Sequence, residues 1–444
     1  MKKMFSLAAL LSVLTLGACN KEYLNPSTAS QQQVDTSPDA LIPLANGLQA
    51  RFTTGGFVSV LYNTVAAGGL STGELRVLNV GNVEEFNVSL GANSLNNANG
   101  IVRNLWTQAQ LVRANADLVL QNAGNAPDAG TRSGIVAYAS IFRALALGTL
   151  AQYFEQIPVV TQANAPFVDR VAVLRDAVAQ LETAAAQLAA TPASADFNAR
   201  IVPGLDLANT LQALIARYSL MAGDYDKALA AAGRVDLTRR SVFNFDDNTR
   251  NPLFETSFGN RNVFEPTTAA LGLTGALAPE AGDRRIPFYI RTGPPPAPPA
   301  AQPNLGSGFY TANNAAIPVY VPGEMLLIRA EAYARKNDLP SAVTELNRVR
   351  TKSTLPVAPQ LGDIYGIAAS LPPYAGPQTA DAILLDILRN RYVELAYQGF
   401  RLEDSRRFGR PGPGMTGAER NRNFYPYPRV ERENNPATPA DPAN

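Results

Sequence analysis

Residues 382–410 read AILLDILRNRYVELAYQGFRLEDSRRFGR, and this stretch does most to decide the fold. Its apolar residues recur at helical spacing, which predicts an amphipathic helix that extends to about Tyr397. The residues on the apolar face are Leu384, Leu388, Tyr392, Leu395 and Gly399. A helix of this kind needs other elements to pack against its apolar face.

The same stretch is dense in charged residues. They are Arg389, Arg391, Glu394, Arg401, Glu403, Asp404, Arg406 and Arg407. Arg391 and Glu394 are one helical turn apart and can form an ion pair. Because apolar residues such as Leu395 and Leu402 lie between the charges, we expect some charges to be partly buried and paired.

The amino-acid composition excludes several classes of function. The 444 residues are 46% hydrophobic and 17% charged, and a net charge of +1 gives no reason to expect a nucleic-acid partner. The sequence has no histidine, which excludes Ser–His–Asp and Cys–His catalysis and histidine metal sites. The single cysteine, Cys19, excludes an internal disulfide and a thiolate metal cluster.

The position of Cys19 predicts a lipoprotein. Two lysines precede an apolar segment, residues 5–16, that is too short to span a bilayer. Residues 16–19, LGAC, then look like a lipobox. We expect residues 1–18 to be a signal peptide and Cys19 to carry a lipid. Residues 19–35 should form a polar tether, and we expect no transmembrane helix after them.

The remainder, residues 36–444, should be mostly α. Thr36 or Ser37 can cap a first helix with Leu41, Leu44 and Leu48 on its core face. Helical spacing predicts further helices over residues 101–121, 134–154, 171–188, 207–221, 225–235, 326–336 and 339–352. The helical scaffold is therefore expected over residues 101–235 and 324–410.

Two predicted helical pairs repeat each other. Residues 216–229, ARYSLMAGDYDKAL, align without a gap with residues 330–343, AEAYARKNDLPSAV. The first small residue, the turn and the packing residue, Ala228 or Ala342, coincide. This pattern is typical of tetratricopeptide repeats, and the uneven spacing of the pairs predicts an array with insertions.

Three segments lack a sustained helical period: residues 53–100, 236–323 and 355–378. The first is rich in Gly, Asn and Ser, and the second contains the run GPPPAPP at residues 293–299. We expect these segments to be long irregular insertions, which often carry function.

Several motifs taken together resemble the SusD/RagB family. They are WTQAQLVRAN (106–115), RALALGTLAQYFEQIP (143–158), NPLFE (251–255), EMLLIRAEAYARKNDLPSAVTELNRVR (324–350) and YPYP (425–428). The opening stretch, as R-x-R-x-x-E-L-A-x-x-G-x-R-x-x-D-x-x-R, is similar to the family's C-terminal signature. The chain departs from the signature at Gln398 and Leu402, where the family often has Glu and an aromatic residue.

The resemblance implies a tetratricopeptide-like scaffold with loop-rich insertions. It also implies that a lipid anchors the protein to the outer membrane and that the protein is exposed at the cell surface. The protein would capture a nutrient, with an oligosaccharide as the leading candidate, and deliver it to a SusC-like TonB-dependent transporter. The helices would form the scaffold and the transporter contact, and the insertions would form the ligand site. We expect no cofactor, no metal site and no catalysis, although the sequence leaves open a metal ion bound through carboxylates alone.

An aromatic platform flanked by Asn or Arg suits a sugar ring, which has apolar faces edged with hydroxyls. The candidate ligand-binding residues are Phe86, Asn87 and Asn93 in the first insertion and Phe288, Tyr289, Arg291 and Tyr310 in the second. The only tryptophan, Trp106, is expected in the core, since it lies at a helix start. Without a second Trp, small oligosaccharides, peptides and other nutrients all stay open.

Two other classes of function compete. An adapter lipoprotein would use the helical array without a small ligand, although it would not need the 236–323 insertion. A glycosidase would need two carboxylates, and the adjacent pairs Glu84–Glu85 and Glu403–Asp404 are the available choices. Sequence neighbours usually point apart, which disfavours catalysis.

Overall fold

The structure is a computed structural model and describes residues 38–293, 304–353 and 362–443. Its α-helices are α1 Leu41–Thr53, α2 Val60–Ser71, α3 Val83–Leu90, α4 Gly100–Asn122, α5 Ala129–Tyr153, α6 Arg170–Ala190, α7 Ala195–Arg200, α8 Leu207–Met221, α9 Tyr225–Ala232, α10 Arg285–Tyr289, α11 Pro322–Arg335, α12 Leu339–Arg350, α13 Ala380–Glu394, α14 Arg401–Arg407 and α15 Arg429–Asn434. Cys19, the signal peptide, the tether and the proposed caps Thr36 and Ser37 lie outside the described residues.

The strands are short and pair two by two in antiparallel fashion. They are β1 Leu75–Val77, β2 Gln156–Pro158, β3 Phe167–Asp169, β4 Val242–Phe243, β5 Phe264–Pro266, β6 Ile290–Thr292, β7 Asn304–Gly306 and β8 Ile317–Pro318. The pairs are β1 with β5, β2 with β3, β4 with β8 and β6 with β7. The mostly α class is confirmed.

The centre of the fold is α5. This helix is long and apolar enough to span a bilayer, but 89% of its apolar window is buried inside the protein, as in a core helix. Asp128 caps its N-terminus by accepting a bond from the Thr131 N–H. A Cβ at Gly148 would lie 2.1 Å from the ring of Tyr218, so glycine allows α8 to pack closely here.

The two predicted hairpins, α8–α9 and α11–α12, have the same turn. Gly223 and Asn337 adopt the left-handed conformation, with φ of 80° and 63°. The next residue in each, Asp224 or Asp338, caps the second helix with its side chain. This shared geometry follows from the residues that align in the sequence.

The prediction that residues 53–100 lack helices is wrong. The segment contains α2 and α3 besides short 3-10 turns. Because α2 is buried on nearly every side, its sequence has no polar face and therefore no amphipathic period. Its glycines serve packing: a Cβ at Gly68 would lie 2.6 Å from the carbonyl oxygen of Gly399.

The 236–323 insertion is irregular as predicted, with only short elements in its described residues. It nevertheless contributes buried side chains to the main core, among them Phe243, Leu253, Phe264 and Tyr289. Of the third insertion, residues 354–361 lie outside the described residues.

The opening stretch contains the predicted helix and a second one after it. Helix α13 ends at Glu394, short of the predicted end, and α14 follows it. Between them, Tyr397 and Gly399 have positive φ values of 59° and 80°. This break brings the backbone at Gly399 against Gly68.

The charged residues of this stretch are buried and paired, as predicted, but the prediction that Arg391 pairs with Glu394 is wrong. Arg391 instead donates twice to Asp404, at 2.9 and 3.0 Å. Glu394 accepts from Arg285 at 3.1 Å and also from Lys352. Both residues therefore pair with residues brought close by tertiary packing, and not with each other across one turn of the helix.

Candidate functional site: the Phe86 groove

Phe86, a predicted ligand-binding residue, lines an open groove of about 630 Å³. We call it the Phe86 groove. Its lining residues are Leu70, Ser71, Thr72, Gly73, Leu75, Arg76, Val77, Phe86, Ser89, Ala92, Thr267, Pro413, Gly414, Ala418, Glu419, Arg420 and Asn421. They come from the end of α2, from β1, from α3 and the turn after it, from the residue that follows β5, and from the loop that follows α14.

Helix α3 presents Phe86 from a fixed position. The Tyr62 hydroxyl donates to the Glu85 carboxylate at 2.7 Å, and burial raises the pKa of that carboxyl. On the other side of Phe86, the Asn421 amide donates to the carbonyls of Val88 and Ser89 at 2.8 and 3.0 Å. The helix is thus tied both to the core and to the opposite wall.

The opposite wall is the loop of residues 411–421. Gly414 and Gly417 have φ of 75° and 73°, which lets the loop turn tightly. The Arg410 guanidinium donates to Glu419 through two nitrogens, at 2.8 and 2.6 Å, and these hydrogen bonds raise the pKa of Arg410. The Asn421 N–H donates to the Ser71 carbonyl at 2.9 Å.

The groove gathers polar atoms that lack partners. Arg76 Nε, Thr267 Oγ1, Glu419 Oε2 and Asn421 Oδ1 are buried and make no hydrogen bond with any of the described residues. A buried polar atom without a partner costs free energy, about 1–3 kcal/mol. All four belong to residues that line the groove, but the atoms themselves are shielded from solvent, so the polar contacts open to a ligand are the remaining side-chain atoms of the lining.

The second set of candidate ligand-binding residues, Phe288, Tyr289, Arg291 and Tyr310, lies elsewhere. None of its four members lines the Phe86 groove. Tyr289 and Tyr310 are fully buried, and their hydroxyls donate to the carbonyls of Glu394 and Tyr397 at 2.6 and 2.8 Å. Their rings belong to the core and are not available as a surface platform.

Phe288 and Arg291 remain accessible. Phe288 is half-buried and packs edge-on against Tyr289 with 4.9 Å between ring centroids. Arg291 is exposed on β6. In the first set, Asn87 is half-buried on α3 and Asn93 is exposed in the next turn, and neither lines the groove.

Sequence reasoning missed the opposite wall. Its polar members Glu419, Arg420 and Asn421 are more than 300 positions from Phe86, so no local pattern could join them. One signal was present: the run PGPG at residues 411–414, directly after the C-terminal signature, is a loop composition.

The adjacent carboxylate pairs are occupied by structural contacts. Glu84 accepts from the Gly100 N–H at 2.5 Å at the start of α4, and Glu85 binds Tyr62. Glu403 pairs with Arg170 at 2.6 Å and also with Arg406. Burial opposes ionisation of Glu403, but these arginines outweigh it and lower its pKa. Among the described residues, no group of three acidic or thiol side chains could hold a metal.

Trp106 is 2% exposed and lies in the core, as expected. Its indole N–H donates to Glu431 at 3.1 Å. Its ring packs edge-on against Phe154, with centroids 4.7 Å apart.

Comparison with known families supports the motifs in the C-terminal part of the sequence, from residue 324 onwards. The SusD family model matches residues 300–441. The resemblance to the SusD family is confirmed.

Solved structures with the same fold are also similar to this chain. A SusD superfamily protein from Parabacteroides distasonis has a TM-score of 0.68 at 16% identity, and the match covers 94% of this chain and 100% of that protein. A SusD-like carbohydrate binding protein from Bacteroides vulgatus has a TM-score of 0.65 at 18% identity, covering 83% and 82%. Another from Bacteroides fragilis has 0.66 at 15%, covering 91% and 99%. A comparison with curated proteins finds no match. At these identities the structural likeness shows that the chain has the SusD fold.

Proposed function

We propose that this protein captures a nutrient, an oligosaccharide, at the cell surface and delivers it to a TonB-dependent outer-membrane transporter. One observation carries the proposal: in a SusD fold, the Phe86 groove combines an aromatic ring with the polar side chains of Arg76, Arg420 and Asn421. An apolar face beside fixed donors and acceptors is the chemistry that binds a sugar ring. Two solved structures with this fold are named carbohydrate binding proteins.

The groove should bind without converting its ligand. Its only lining carboxylate, Glu419, is held by Arg410, so it has no second carboxylate to act with in glycoside hydrolysis. Outside the groove, the pairs Glu84–Glu85 and Glu403–Asp404 are engaged in the contacts described above. We therefore propose a binding protein and not an enzyme.

Binding of a glycan library to the full chain, measured by calorimetry, tests the groove. We expect Phe86→Ala to weaken binding by roughly tenfold or more, since a stacked aromatic ring contributes about 1.5 kcal/mol. Phe288→Ala is the matched control, because Phe288 is another half-buried aromatic residue from the second predicted set. Loss of binding in the Phe288 variant alone would move the site to the second insertion. A full chain that binds peptides but no glycan would refute the oligosaccharide.

Anchoring and delivery are tested in the native envelope. Cys19→Ala should move the protein from the membrane fraction to the soluble fraction, because a diacylglyceryl anchor holds it to the bilayer. Purification in mild detergent should bring down a large β-barrel receptor. Its absence, together with no glycan binding, would favour the adapter lipoprotein.

A further inference from the structure

We propose that the Phe86 groove selects glycans that carry a carboxylate, such as uronic or other acidic sugars. This inference rests on the proposed function and specifies that the ligand is negatively charged. It depends on the arginines of the groove, on what they contact, and on which charges nearby are already neutralised.

Arg76 is a cation without a partner. Its half-buried guanidinium makes no hydrogen bond or ion pair within the described residues. The residue opposite it on β5 is Glu265, the natural candidate for a cross-strand pair. However, Glu265 is occupied by Arg261 Nε and by the Gly306 N–H, each at 2.9 Å. The positive charge of Arg76 therefore remains for a ligand.

Arg420 adds a second positive charge, which lies near Glu419 but makes no hydrogen bond to a carboxylate of the described residues. Its donors contact only neutral oxygens: Asn423 Oδ1 at 2.8 Å, Ser405 Oγ at 3.0 Å and the Arg410 carbonyl at 2.7 Å. The one carboxylate in the lining, Glu419, is already paired with Arg410 at 2.6 Å. The groove thus has an excess of positive charge.

The groove also has acceptors for hydroxyl groups. Thr72 and Ser89 in its lining donate their hydroxyl protons to the carbonyls of Gly68 and Phe86 at 2.8 and 2.7 Å, so each oxygen can accept a hydrogen bond from a ligand. A phosphate ion has no apolar face for Phe86, and a fatty acid has no hydroxyls for these acceptors. A sugar that bears a carboxylate supplies all three: an anion for the guanidiniums, hydroxyl donors and a ring face.

A second open groove shows the contrast. It is lined by residues that include Asp247, Arg250 and Glu255. There Arg250 pairs with Glu255 at 3.4 Å, and Asp247 adds a further negative charge. The charged side chains in its lining are two carboxylates and one guanidinium, so their balance disfavours an anion.

The test is calorimetric titration of the full chain with oligogalacturonate, oligoglucuronate and sialyllactose, beside neutral oligomers of the same length. We expect the acidic glycans to bind more tightly, and their affinity to fall as NaCl rises from about 50 mM to about 500 mM. Arg76→Gln should weaken acidic binding roughly tenfold to a hundredfold, the worth of a charge-assisted bond, and leave neutral binding unchanged. Arg175→Gln, at an exposed arginine on α6, is the matched control and should change neither.

The two proposals fail differently. Neutral glycans that bind as well as acidic ones, with equal effects of Arg76→Gln on both, would overturn the selection of acidic sugars and leave the capture of glycans standing. If no glycan of either kind binds a folded chain, both proposals are refuted. Thermal unfolding of each variant establishes that a loss of binding is not a loss of folding.

Discussion

Glu331 on α11 allows a sharp test of the buried charges. Its carboxylate is fully buried and accepts from Arg335 at 2.7 Å and from Arg407 at 2.6 and 3.1 Å. Burial alone would raise its pKa, but Arg407 and its neighbouring arginines outweigh burial and lower the pKa from 4.5 to about 2. Folding therefore favours the ionised form of this carboxyl.

The lowered pKa sets both the sign and the size of a pH effect. One pKa unit corresponds to about 1.4 kcal/mol, so a fall from 4.5 to about 2 contributes roughly 3 kcal/mol to the free energy of unfolding. Because the pKa is lower in the folded state, this contribution is complete above the unfolded pKa and is lost as the pH falls towards 2. About 2 kcal/mol of it should be gone by about pH 3.

Urea unfolding of Glu331→Gln and the wild type, followed by circular dichroism from about pH 7 to about pH 3, measures this effect. At neutral pH we expect the variant to be less stable by about 3–5 kcal/mol, since it leaves buried guanidiniums without their carboxylate. The difference should shrink by about 2 kcal/mol on acidification. Glu182→Gln, which removes a surface pair with Lys227, should cost at most about 1 kcal/mol. A gap between wild type and Glu331→Gln that stays constant with pH would refute the reasoning.

Three further predictions concern the fold. Gly68→Ala should destabilise the protein by about 2 kcal/mol or more, because its Cβ would strike backbone, whereas Gly47→Ala, with open space around it, should stabilise by up to about 1 kcal/mol in urea unfolding. Asp224→Ala and Asp338→Ala should each cost about 1 kcal/mol in the same assay, since both cap equivalent helices; unequal losses would contradict the equivalence of the hairpins. Trp106 should fluoresce at short wavelength, resist quenching by acrylamide and shift to the red on unfolding, whereas strong quenching in the native state would contradict its burial.

The sequence predicts elements well where one face is apolar and the other polar. Helix α8 was predicted with its observed bounds, and α4 and α6 to within two residues at each end. It fails for α2, because a helix buried on all sides carries no amphipathic signal. It also fails for the partner of Arg391, since an ion pair to another element depends on tertiary packing.

The candidate site could be predicted only in part, for a related reason. Phe86 was identified as an aromatic residue in a region that carries function, and it lines the groove. The same reasoning selected Tyr289 and Tyr310, because a buried tyrosine in an irregular segment looks like an exposed one in the sequence. Only the structure shows their hydroxyls bound to main-chain carbonyls inside the core.

The relation between the opening stretch and the groove changes how that stretch should be understood. The charged residues of the stretch are buried and paired, as predicted, and those at its C-terminal end also position the loop of residues 411–421. Arg406 donates to the carbonyl of Asn423, Ser405 accepts from Arg420, and Arg410 holds Glu419. Each contact fixes a residue within or next to the loop of residues 411–421, which faces Phe86. The stretch that resembles the family signature is therefore structural in its own contacts, while it orients the wall of the groove that we propose binds the glycan.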